Sequence, residues 1–202
     1  HNEGYLFDVV TPEGEEKALY FNQIGTHNLV NALCAISLAH LEGVSFESIR
    51  KGLASFPGIE RRMNQYQLDD LLLIDDYAHH PVELKAVLKT IKSTYPKRKN
   101  GIVFQPHLFS RTRDFMCDFA SVLSEFDEVI LLDIYPAREL PIEGVTSDNL
   151  LNLITNPNKK KVQKVDLLSA IEESKADLLV MAGAGDIGLE VQKILMQLNP
   201  TT

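Results

Sequence analysis

Leu71-Leu72-Leu73-Ile74-Asp75-Asp76-Tyr77-Ala78-His79-His80-Pro81 is the stretch that decides the fold. Its apolar run reads as a half-buried strand. Pro81, with φ already set for a first helical turn, then opens a helix. Between them lie acid, phenol and imidazole groups, placed at the mouth of a sheet. That is the edge where open α/β sheets bind ligands.

Working outward, Met63 to Leu68 and Leu71 to Ile74 bracket Asp69-Asp70 as a tight hairpin. Leu84, Val87, Leu88 and Ile91 recur at helical spacing and give the inner face of the helix after Pro81. Strand and helix then alternate. Ile102 to Phe104 is a strand, and Phe115, Phe119, Val122 and Leu123 form a helical stripe. Val129 to Leu132 is a strand and Ser147 to Ile154 a helix, followed by a short strand over Val162 to Val165 and a helix over Leu167 to Glu173. Leu178 to Met181 is the last strand and Ile187 to Leu198 the last helix. Such alternation predicts an α/β fold: a doubly wound, mainly parallel sheet with helices on both faces.

The amino-terminal part is different. Tyr5 to Val10 and Lys17 to Phe21 flank Thr11-Pro12-Glu13-Gly14 as a hairpin. A helix carries Leu29, Ala32, Leu33, Ile36 and Ala39 and ends at Gly43, and Ser45 caps a second helix with Phe46, Ile49 and Leu53. The pattern breaks at Phe56-Pro57-Gly58. The chain is therefore divided into residues 1–60, a hairpin-plus-helices remnant, and residues 61–202, a complete doubly wound domain.

Composition bounds the partners. A net charge of -8 and a pI near 5.2 argue against a nucleic-acid surface, whose polyanion needs a basic footprint. The one dense basic run, Lys159-Lys160-Lys161, reads as a solvated loop edge beside Asn156-Pro157-Asn158. No apolar stretch reaches membrane-spanning length and no signal peptide pattern is present. Cys34 and Cys117 lack the spacing of a disulfide framework or a zinc site, so no metal ligands are expected and a reducing cytoplasm fits. His1-Asn2-Glu3-Gly4 runs at once into strand-like sequence, which looks like a cut through a longer protein.

Four further stretches carry chemistry. Gly183-Ala184-Gly185-Asp186-Ile187-Gly188 matches a dinucleotide fingerprint in spacing, but that fingerprint should open a βαβ unit with an acid about 20 residues on. Here the chain stops first, so a glycine-rich strand-to-helix turn is the better reading, with backbone N–H groups suited to an anion. His107, Arg111 and Arg113 lie close together where Phe104 leaves a strand. They form a candidate anion clamp, with a surface ion pair to Asp114 or Asp118 as the alternative. His27 and Asn31 stand one helical turn apart and can read a purine edge, with helix capping as the alternative, and Arg61-Arg62 sits at the domain junction, where an arginine can touch a phosphate and solvated charge is the default. No GxxxxGK[ST] phosphate loop occurs in these residues.

With these pieces in place, the chain resembles the C-terminal part of a Mur ligase. The motifs are Gly25-Thr26-His27-Asn28 with Asn31-Ala32, Phe56-Pro57-Gly58-Ile59-Glu60-Arg61-Arg62, Asp75 to Pro81, Phe104 to Asp114, and Gly183 to Ile187. Five in the family's order make the resemblance specific. It implies that residues 1–60 end a central ATP-binding domain and that 61–202 form the amino-acid-binding domain. It also implies an ATP-dependent ligase using Mg2+ that joins L-alanine to UDP-N-acetylmuramate through an acyl phosphate, the present residues being inactive alone. The recycling ligase that adds a tripeptide to the same sugar nucleotide is the nearest alternative, and a non-catalytic nucleotide-binding module a further one. By the same resemblance His27 and Asn31 contact adenine, Arg62 the nucleotide phosphates and Asp76 the ribose. Tyr77 and His79 line the reaction centre and Arg111 holds a substrate carboxylate, so Tyr77, His79 and Arg111 form the implied catalytic set. Ala78 and Leu108 depart from the family pattern, which has Gly and, in some members, Arg at those places.

Overall fold

Hydrophobic alternation and turn chemistry produce two compact units in the computed structural model, His1–Glu60 and Arg61–Thr202, whose described residues are 4–198. In the first, strands β1 (Tyr5–Thr11) and β2 (Gly14–Phe21) pair antiparallel. The Thr11 hydroxyl accepts from the Glu13 amide and donates to the Gly14 carbonyl, closing the turn. Helices α1 (Thr26–Leu41) and α2 (Phe46–Ser55) follow, with Gly43 at φ +80° ending the first and Ser45 capping the second through the Ser48 amide. Val9, Leu19, Ile36 and Ile49 form the core of this unit. Leu33, part of the apolar spacing in α1, is instead 46% exposed, because a two-stranded hairpin covers only the Ala32 and Ile36 side.

The second unit is the doubly wound domain. Strands β3 (Asn64–Leu68) and β4 (Leu71–Asp76) form the hairpin around Asp69-Asp70, and α3 (Pro81–Thr94), β5 (Asn100–Phe104), α4 (Phe109–Asp114) and α5 (Met116–Leu123) follow. Next come β6 (Glu128–Leu131), α6 (Ser147–Leu153), β7 (Lys159–Lys161), α7 (Leu167–Glu172), β8 (Leu178–Ala182) and α8 (Ile187–Leu198). The sheet order is β3-β4-β8-β5-β6-β7, parallel except for β3. The last strand thus inserts between β4 and β5. Leu73, Val103, Ile130, Leu179 and Met181 face α7 and α8, while Phe104 packs its ring on Phe119 of α5. Alternate residues therefore serve opposite layers, which is why the strands read as continuous apolar runs.

Two elements differ from expectation. The short strand is Lys159–Lys161 rather than Val162 to Val165, and Lys164–Asp166 is a 3-10 turn. A strand at a sheet edge tolerates charge, and here each ammonium has a use. Lys159 donates to the Leu151 and Ile154 carbonyls ending α6, Lys160 to the Ala170 carbonyl of α7, and Lys161 pairs with Asp133 and Asp148. The cations thus satisfy carbonyls near helix ends, where the dipole favours positive charge. The stripe from Phe115 to Leu123 is also broken, with Phe115 between α4 and α5.

Leu73 is fully buried in the centre of this sheet and Leu189 on α8 is 64% exposed. Leu73→Ala is expected to lower unfolding free energy by about 2–5 kcal/mol, and Leu189→Ala by less than about 0.5 kcal/mol. Urea midpoints of the two variants measure the contrast.

Candidate functional site

The carboxyl ends of β4, β5, β6 and β8 form one rim. The chain leaves β4 and β5 for helices on one face and β8 for α8 on the other, so the switch point of the sheet lies at β8. The glycine-rich turn sits there. A Cβ on Gly183 would meet the Gln105 carbonyl oxygen at 2.8 Å, one on Gly185 the Tyr135 ring at 2.6 Å, and one on Gly188 the Arg61 guanidinium at 2.7 Å. These glycines therefore admit the protein's own groups, in place of a dinucleotide. The Ile187 amide at the start of α8 donates to Gln105 Oε1, and Gln105 Nε2 donates to Asp186, so the anion-attracting end is filled from within. Burial would raise the Asp186 carboxyl, yet its bonds to Lys164 and Gln105 outweigh this and hold it below the usual range.

After β4, the chain turns tightly. Asp76 is buried, accepting from the Met63 amide at 2.9 Å and the Ala78 amide at 2.8 Å, so both its oxygens hold the backbone. His80 caps α3 and Glu83 accepts from the His79 and His80 amides, a reciprocal cap that fixes the turn before Pro81. His79 Nδ1 lies 2.8 Å from the Tyr77 carbonyl. A carbonyl only accepts, so Nδ1 carries a proton, with the Glu83 carboxylate 3.4 Å away; the neutral tautomer that fits this contact has its lone pair on Nε2.

His107, leaving β5, has the opposite tautomer. Arg111 Nη1 is 3.2 Å from its Nδ1, and a guanidinium only donates. Burial and the Arg111 charge hold the His107 imidazole below its ordinary pKa, which keeps it neutral and preserves this bond. Its ring stacks on Tyr135 at 5.7 Å and meets His79 edge-on at 5.9 Å, and His79 meets Tyr77 at 5.3 Å. Four rings, from β4, β5 and β6, thus line one edge. Leu108 adopts φ +72° beside them, held by its amide bond to the Tyr135 carbonyl, a strained conformation supported by its surroundings.

Charge is distributed unevenly over this rim. Arg113 pairs with Asp114, as its surface alternative required. Arg111 and the exposed Arg62 have no carboxylate partner among the described residues. The rim therefore brings together Tyr77, His79, Arg62, Asp76 and Arg111. His27 and Asn31 lie on α1 of the other unit, His27 half-buried and Asn31 exposed. Sequence reasoning missed Gln105, Tyr135 and the separate role of Arg61. A Gln two residues before His107 and the Tyr135-Pro136 pair after a strand were the available signals.

Such a rim, at the carboxyl edge of a doubly wound sheet and edged by imidazoles and by guanidinium groups without carboxylate partners, is where an open α/β domain would meet a ligand. Residues 61–189 match the family model described as Mur ligase, glutamate ligase domain, and the chain belongs to that family. It is 55% identical over 196 residues to UDP-N-acetylmuramate–L-alanine ligase of Flavobacterium johnsoniae, covering 96% of this chain and 44% of that protein. Against the same enzyme of Christiangramia forsetii it is 53% identical, with 94% and 42% covered. The chain thus spans under half the length of these relatives. Among solved structures, UDP-N-acetylmuramate–alanine ligase of Thermotoga maritima shares the fold at TM-score 0.74 and 24% identity, over 93% of this chain and 43% of that one. A murein peptide ligase from Psychrobacter arcticus does so at TM-score 0.65 and 24% identity, over 95% and 41%.

Asp75 supplies a pH test. Burial pushes its carboxyl up to about 6 despite the neighbouring Arg61 charge. An acid with a raised folded pKa binds more protons folded than unfolded, so its contribution to stability falls as pH rises from its unfolded value, about 4, to about 6. Asp75→Asn is expected to gain in urea midpoint relative to wild type across that window. A difference independent of pH would refute the assignment.

Proposed function

We propose that this chain is the acceptor-side portion of an ATP-dependent carboxylate–amine ligase that joins L-alanine to UDP-N-acetylmuramate in peptidoglycan synthesis. The observation that carries the reading is the rim itself, where two guanidinium groups without carboxylate partners flank two imidazoles of opposite tautomer. Identity of 55% to a relative bearing that activity supports it.

Bound ATP would supply the phosphoryl group that turns the muramoyl carboxylate into an acyl phosphate, splitting an uphill condensation into two accessible steps. Arg62, exposed and without a carboxylate partner, would meet phosphate oxygens, and Arg111 would donate two hydrogen bonds from its planar fork to the substrate carboxylate. In the Nδ1-protonated neutral tautomer, His79 Nε2 would take a proton from the attacking amine. Tyr77 and the His107–Tyr135 stack wall the acceptor side. His27 and the exposed Asn31, one turn apart on α1, would face adenine. A ribose contact from Asp76 would add to a carboxylate that already holds the Met63 and Ala78 amides. Mg2+ finds no cluster of three His, Cys, Asp or Glu ligands among the described residues, so no step is assigned to it here. No described helix is long and apolar enough to cross a membrane.

The test is ADP release by the complete polypeptide with UDP-N-acetylmuramate, expected to depend on L-alanine and not on the tripeptide. Release stimulated only by tripeptide would assign the recycling reaction, and release stimulated by neither would sink the ligase reading. Arg111→Lys keeps the charge but loses the fork, and is expected to raise the acceptor or muramoyl KM roughly 10- to 100-fold, the loss of about 1–3 kcal/mol of charged hydrogen bonding.

A further inference from the structure

Arg61 is committed to the protein rather than to a ligand. Its Nη2 donates to the Gly183 carbonyl at 2.5 Å and its Nη1 to the Gly185 carbonyl at 3.3 Å. Its Nε stands 3.5 Å from Asp75, and its own carbonyl accepts from the Tyr77 amide at 2.7 Å. Its guanidinium carbon lies 5.0 Å from the Tyr77 ring centre. A side chain on Gly188 would occupy the same space, so the sequence leaves a hole for this one group. The backbone is bent to fit, with Arg61 at φ +57° and Met63 at φ +56°, Met63 being tied by its amide to Asp76.

Arg62, the residue between these two anchors, is the one the anchors leave exposed. Its guanidinium carbon is 5.9 Å from the same Tyr77 ring, close to a second cation whose charge is already met by Asp75 and two carbonyls. We propose that Arg61 is a positioning residue that clamps the junction loop to the glycine turn and Tyr77, and thereby presents Arg62 uncompensated to a nucleotide phosphate. The inference rests on the reading of Arg62 as a phosphate contact.

Its test is ADP binding to the complete polypeptide by titration calorimetry, a readout separate from alanine-dependent turnover. Arg62→Ala and Arg61→Ala are each expected to weaken ADP about tenfold, while the double variant is weakened by no more than about twofold beyond Arg62→Ala alone, since residues acting as one unit are non-additive. Gly188→Ala, which leaves both arginines in place and displaces only the Arg61 guanidinium, is expected to reproduce the Arg61→Ala loss. It also keeps the question open to measurement should Arg61→Ala unfold, as thermal midpoints would reveal. Additive losses in the double variant, an unchanged affinity in both Arg61→Ala and Gly188→Ala, or an unchanged affinity in Arg62→Ala would each overturn the proposal. Failure of the ligase assay with intact ADP coupling would instead count against the alanine reaction and leave the clamp standing.

Discussion

Close approach at the turn after β8 is the constraint on which the rim depends. Three positions without Cβ admit the Gln105 backbone, the Tyr135 ring and the Arg61 guanidinium. These contacts pin the segments leaving β5 and β6 and the segment entering β3 to one short turn. Because a Cβ within about 3 Å of such atoms cannot be absorbed without displacement in a close-packed region, the placement of Gln105, Tyr135 and Arg61 along the edge depends on this turn.

The same constraint explains why an apparent dinucleotide fingerprint has another use here. In a dinucleotide site glycine lets backbone approach a pyrophosphate and leaves helix N–H groups to bind it. In this chain Gln105 takes the Ile187 amide, and the Gly183 and Gly185 carbonyls take Arg61. Spacing alone is the same in both cases. What separates them is insertion of β8 between β4 and β5, which brings Arg61, more than a hundred positions away, and Gln105 against the turn.

Electrostatics on the rim follow from who is already paired. Arg61, Arg113 and Lys164 have acids within ion-pair distance and so are spoken for, whereas Arg62 and Arg111 are not. The two imidazoles differ because one faces a carbonyl and the other a guanidinium, which forces opposite tautomers on chemically identical side chains. Neighbours, and not residue type, therefore set which of these cations are paired with an acid and which are not.

Local pattern was sufficient for most of the architecture. Apolar runs without alternation marked β4, β5, β6 and β8 as buried strands, and Pro81 and Ser45 marked helix starts, since these signals act over a few residues. The clustering of acid, phenol and imidazole after Ile74 likewise named Tyr77 and His79 before their surroundings were known. Pattern failed at β7, because three lysines form a strand only where an edge position and facing helix ends supply partners. It also could not separate Arg61 from Arg62: adjacent identical residues acquire different tasks only when a left-handed backbone turns one into the glycine pocket and the other outward. Sequence by itself determined the elements and the chemistry on offer at their ends. Tertiary structure alone decided which groups meet, because long-range strand insertion and the absence of three Cβ atoms act together only in the folded chain.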